Sequence, residues 1–216
     1  MNTRQNGFTL VEIAVVLVIV GLLLGGVLKG QELIDSAKVK NLAQDFRTTP
    51  MLIHAYQDKF RALPGDDRRA VAHLCPSGVS DCTTAGNGDG VLGGRWDDDD
   101  GSEAARFWQQ VRLANLASGP TDTGDAAYIP RNAEGGRIGI QRGGSGAPLG
   151  LAGSHVICSA SIRGKLARQL DLALDDGNPA SGALRAGTTG DDGALTAISA
   201  ANPLVDGNSH TVCLSL

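Results

Sequence analysis

Three sets of residues in this 216-residue chain have types and spacings that could do chemistry. The first is a single carboxylate, Glu12, in the stretch GFTLVE at residues 7–12, near the start of an apolar run from Phe8 to Leu28. A charged side chain at the centre of a bilayer costs about 2.5–3.5 kcal/mol by insertion scales, so a carboxylate in such a run needs a partner. A small residue, Gly7, stands just before the run. A cut between Gly7 and Phe8 would free an α-amino group on Phe8, four residues from Glu12, and residues four apart share a helix face. A positive amine lowers the cost of the carboxylate. In a bundle of copies, Glu12 of one could equally meet the Phe8 amine of the next and mark the register, as a buried polar group does in a coiled coil. The plainer alternative is a simple anchor whose Glu12 reaches the membrane surface.

The second set lies in CTTAGNGDGVLGGRWDDDDGSE, residues 82–103, which concentrates Asn87, Asp89, Asp97, Asp98, Asp99, Asp100 and Glu103 among glycines. Oxygen ligands on a bent loop suit calcium. NGDG resembles the middle of an EF-hand loop, but Ala85 stands where the preceding acid should be and the distal glutamate is missing. A solvated acidic loop is therefore preferred. Calcium held by Asn87, Asp89, Asp97, Asp98 and Asp99 is the minority reading, and no other cofactor is expected.

The third set is the four cysteines, all beyond the apolar run. An even count in an exported region reads as two disulfides, with three connectivities open, and places the region outside the cytoplasm. SHVIC at 154–158 and SHTVC at 209–213 suggest zinc, but residues three apart on a strand face opposite ways, so His155 and Cys158 do not converge. Cys75 and Cys82 enclose the short, turn-rich PSGVSD, and Cys158 and Cys213 sit on two strand-like segments. Cys75–Cys82 and Cys158–Cys213 are the expected bridges. If the two strands are antiparallel neighbours, His155 lies near Leu216 and His210 near Ser161. For catalysis the inventory is thin. His54 and His73 stand alone, alternation points Ser154 and His155 apart, and no nucleophile-elbow, zinc-protease or phosphate-loop motif occurs, so no enzyme is expected.

These groups depend on the elements that carry them. Phe8 to Leu28, about 21 residues, is enough for one membrane-spanning helix. From Lys29 to Leu63, Leu33, Ala37, Leu42, Phe46, Ile53, Tyr56, Phe60 and Leu63 recur at helical spacing. Pro50 is expected to kink or interrupt that helix, and LPGDD at 63–67 to end it. A helix capped by Ser102 is expected over 102–117, and another in RGKLARQLDLALDDG with Gly177 as its stop signal. Strands are expected near 126–130 and at 137–141, 154–162 and 209–216. The expected fold is α+β: a long N-terminal helix packed against a small antiparallel sheet with long irregular loops. The divisions are a leader at 1–7, an apolar helix at 8–28, an amphipathic helix at 29–63 and a head at 64–216. The net charge of −4 and an aromatic content of 4% leave no basic, stacking surface for nucleic acid, which is not expected as a partner.

GFTLVE followed by the apolar helix resembles the N-terminus of type IV pilins and of the related type II secretion pseudopilins. LPGD at the end of the long helix and LDDGNPASGALRA at 174–186 also resemble pilin-like subunits, as does a disulfide closing a region near the C-terminus. The resemblance implies a pilin fold and a leader removed after Gly7 by a prepilin peptidase. It also implies N-methylation of Phe8 and a docking role for Glu12. It further implies membrane residence before assembly, an inner-membrane assembly platform, self-association or co-subunits in an extracellular filament, and filament roles such as adhesion and motility. Many pilins have proline where this chain has Lys29, so any unwinding on assembly would rest on Gly21, Gly25 and Gly26. The alternatives to a pilus subunit are a secretion pseudopilin and a membrane-tethered binding or enzymatic domain.

Overall fold

The computed structural model describes residues 9–79, 81–99, 101–190 and 194–216. The chain divides into two units, Met1–Lys38 and Val39–Leu216. Helix α1, Leu10–Phe60, supplies nearly all described residues of the first unit and the opening element of the second. In the second unit its apolar positions Leu42, Phe46, Ile53 and Tyr56, together with Thr49, follow the three- and four-residue steps of one helix face, and all five are buried. The sequence leads one to expect an interruption at Pro50, but α1 runs through it. The cost of an internal proline, roughly 3 kcal/mol, is outweighed by burial of the large side chains on either side, each contributing about 1.5–3 kcal/mol. The helix ends at Phe60, three residues before the expected stop. Arg61 turns to a φ of 57°, and Gly65 follows at 93°. A Cβ at Gly65 would sit 2.3 Å from the Glu103 carbonyl oxygen, so only glycine lets this turn pass so close to the backbone at Glu103.

Helices α2, Ala70–Leu74, and α3, Glu103–Leu113, follow. The Ser102 side chain caps α3 by accepting from the Ala105 amide, and Ala105, Trp108 and Val111 are buried as their spacing requires. Residues 126–130 form turns instead of the expected strand. Asp125 Oδ1 accepts from the Ala127 amide at 2.7 Å, and the Tyr128 amide closes onto the Asp125 carbonyl at 2.9 Å. This local aspartate turn competes with extended backbone and sends the Tyr128 ring into the core, where its hydroxyl donates to the Ala105 carbonyl.

Five strands form one sheet in the order β1-β2-β5-β3-β4, and every neighbouring pair is antiparallel. They are β1 Ile138–Arg142, β2 His155–Arg163, β3 Leu184–Thr189, β4 Leu195–Ala197 and β5 Ser209–Ser215. Helix α4, Gly164–Leu174, connects β2 to the β3 segment. One core joins Leu42, Phe46, Ile53 and Tyr56 of α1 with Phe107 and Val111 of α3, Ile140, Ile157, Leu184 and Val212 of the sheet, and Leu166 and Leu170 of α4. This is the α+β arrangement of helix on antiparallel sheet. Strands β3 and β4 went unread in the sequence. A shift in register between Ser159 and Ile162 sets His210 opposite Ile162, one residue from the expected Ser161. His155 meets Leu216 as expected, its carbonyl accepting from the Leu216 amide.

Candidate functional site

Gly7 and Phe8, the expected cleavage and methylation positions, lie outside the described residues. What is described begins with Thr9, and there Glu12 already has a partner. Its carboxylate accepts from the Thr9 amide at 2.9 Å and from the Thr9 hydroxyl at 2.8 Å, and the Glu12 amide lies 3.3 Å from the same hydroxyl. This is a reciprocal capping box, in which threonine and the glutamate three residues on satisfy each other's backbone donors. The signature T-x-x-E stands in GFTLVE as Thr9 and Glu12. Within a single chain, Glu12 closes the start of α1 and keeps its charge near the positive end of the helix dipole.

From Leu10 to Leu28 the side chains of α1 are apolar apart from Glu12, and the large ones, such as Leu10, Leu17, Leu22 and Leu28, are exposed. By length and composition α1 is long and apolar enough to cross a membrane, and its apolar stretch is not buried. At its end Lys29 pairs with Glu32 at 2.8 Å, marking the return to polar surface.

The acidic loop divides into two groups instead of converging on one centre. The Arg95 guanidinium holds Asp97 at 2.9 Å, the Arg95 amide donates to Asp98 at 2.7 Å, and Arg137 pairs with Asp99. Asp100 lies outside the described residues. Asn87 and Asp89 do stay together, with the Asp89 amide donating to Asn87 Oδ1 at 2.8 Å. Their neighbours are Asp66 and Glu103, two buried carboxylates that the calcium reading did not include. Asp66 accepts from the Gly88 and Gly90 amides at 2.5 and 2.7 Å, and Glu103 from those of Asn87 and Gly93 at 3.0 and 2.8 Å. The loop is wrapped around two carboxylates whose oxygens take four backbone donors, as an anion fills a nest of amides. Sequence spacing hid this because Asp66 comes from a distant segment.

Two histidine expectations are corrected. His73 does not stand alone. Its Nδ1 lies 2.6 Å from Asp67 Oδ2, its ring stacks on Phe60, and Tyr56 donates to the same Asp67 oxygen at 2.8 Å. Burial and then the Asp67 carboxylate push the Tyr56 phenol well above its usual range. Ser154 and His155 also meet, with Oγ 3.2 Å from Nδ1, because Ser154 precedes β2 and escapes its alternation.

The bridges are Cys75–Cys82, with Cα atoms 5.6 Å apart, and Cys158–Cys213, a directly opposed pair on β2 and β5. The second is fully buried against Trp96, Leu151 and Val156. With its cysteines paired and His155 turned to Ser154, the zinc set is not assembled. No curated protein and no solved structure matches the chain. A family model for the prokaryotic N-terminal methylation motif matches residues 2–28, the segment that contains Gly7, Phe8, Glu12 and the exposed apolar face of α1.

Proposed function

We propose that this chain is the precursor of a structural subunit of a type IV pilus-like filament, cut after Gly7, methylated on Phe8 and polymerised through the apolar half of α1. The observation that carries the reading is the methylation motif over residues 2–28, whose apolar helix residues from Leu10 to Leu28 are exposed. The subunit sits in the inner membrane as a precursor with its disulfide-containing head outside the cytoplasm. It is processed by a prepilin peptidase and enters the filament through an assembly platform. Apolar surface of this extent is satisfied by lipid before assembly and by neighbouring copies after it. The disulfide-containing head serves as the exposed face of the filament. The Cys158–Cys213 bridge favours a pilus over a secretion pseudopilus. Shearing cells and sequencing the main filament component tests the reading. Recovery of this chain supports it. Its retention as an unprocessed membrane protein in filament-bearing cells would favour a simple tether.

A further inference from the structure

Helix α4 turns Leu166, Ala167 and Leu170 into the core, and the residue after Leu170 is an acid, Asp171, that is fully buried. Both of its carboxylate oxygens are shielded and neither has a hydrogen-bond partner. The amides of Gly177 and Asn178 lie nearby and favour its ionised form without reaching hydrogen-bonding geometry. What the carboxylate faces is more acid. One oxygen from each of Asp171, Asp175 and Asp176 lies within 4.8 Å of the others. Burial, the largest effect, and the neighbouring charges of Asp176 and Asp175 push the Asp171 carboxyl up to about 6. A buried, unpartnered carboxylate pointed at two more is unfavourable at neutral pH unless a positive charge sits among them.

We propose that Asp171, Asp175 and Asp176 form a calcium site at the C-terminal end of α4, binding the turn 175–183 to the helix before it enters β3. The set offers only carboxylate oxygens, which selects a hard cation. Three carboxylates favour calcium over magnesium, which keeps several waters and uses one or two carboxylates. Two oxygens bound to one calcium at about 2.3–2.6 Å are at most about 5 Å apart, so the three already stand close enough to share an ion. Asp171 forms the closed floor, the half-buried Asp175 lines the side, and the exposed Asp176 gives access from solvent. The rim is held in place: Asp175 Oδ2 accepts from the Leu184 amide at 2.8 Å, and Asp176 accepts from the Asn178 amide at 2.8 Å and the Ser181 hydroxyl at 3.0 Å. The neighbouring Arg185 donates to the carbonyl oxygens of Gly182 and Leu149. Asp66, Asp89 and Glu103 differ in this respect, since amides already occupy the two buried carboxylates there.

Thermal unfolding of the full-length protein in detergent, stripped with EDTA and then given calcium or magnesium, tests the site. Calcium raises the midpoint, magnesium at equal concentration raises it much less, and Asp89→Ala keeps the calcium shift. Asp171→Asn, nearly isosteric, folds without calcium and loses the shift, and Asp176→Asn on the rim reduces it. No calcium shift in the unaltered protein, a shift that survives Asp171→Asn, or an equal response to magnesium would overturn the assignment.

Discussion

Glu12 shows how much one residue can conceal. Its spacing from Phe8 suggests an amine pairing that only a chain cut after Gly7 would allow. The capping box with Thr9 needed only the T-x-x-E spacing, and it gives the carboxylate a role inside one molecule. The two roles can be separated. Glu12→Ala removes the capping-box partner of Thr9 together with the charge. Glu12→Gln keeps an acceptor for the Thr9 amide and loses only the charge. Both variants should stay in the membrane and both should be depleted from sheared filaments. Wild-type filament yield from Glu12→Gln would mean that capping alone accounts for the residue. A second residue-scale prediction concerns Asp45 in α1, whose carboxyl is pushed up to about 6 by burial. The folded state therefore holds this proton more tightly than the unfolded chain, where an aspartate titrates near about 4. Its ionisation opposes folding, so the stability it permits is greatest below about pH 4 and falls as pH rises to about 6. Asp45→Asn should raise stability at pH 7 and flatten the slope across that window. Unfolding midpoints equal to wild type at both ends of the window would contradict this.

At the scale of elements, strong periodicity was readable and weak periodicity was not. The buried face of α1, the Ser102 cap and strands β1, β2 and β5 all carry their patterns openly. Strand β3, LRAGTT, does not: at Gly187 a Cβ would come within 2.8 Å of the Thr196 backbone oxygen, so close packing favours the residue that makes the segment resemble a loop. Conversely, AAYIP has strand-like composition, but Asp125 just before it forms a turn. The helix through Pro50 shows burial overriding a local breaker. The cysteines were readable because loop length and strand placement agree, and they allow a ranking. By the chain-entropy model, closing the 55-residue separation of Cys158–Cys213 is worth about 4 kcal/mol, and closing the 7-residue separation of Cys75–Cys82 about 2.5 kcal/mol. Paired serine substitutions at Cys158 and Cys213 should therefore lower the unfolding midpoint more than those at Cys75 and Cys82. The reverse order would show that strain or unfolded-state structure dominates.

For the molecule as a whole, the large apolar side chains of Leu10–Leu28 are exposed among the described residues, and the second unit has a hydrophobic core of its own. The carboxylate clusters of the head were the least legible part, because Asp66 and Glu103 meet across 37 positions of sequence and Asp171 lies in a helix whose pattern simply reads as amphipathic. The motif at residues 2–28 and the apolar helix were readable because their signal is local and contiguous in sequence. The central claim rests there. Mass spectrometry of the protein purified from its own cells reads the mature N-terminus directly. The expected result is a chain that begins at Phe8, lacks residues 1–7 and carries one added methyl group on its terminal nitrogen. A chain that still begins at Met1, or one that begins elsewhere without the methyl group, in cells that assemble filaments, would contradict it.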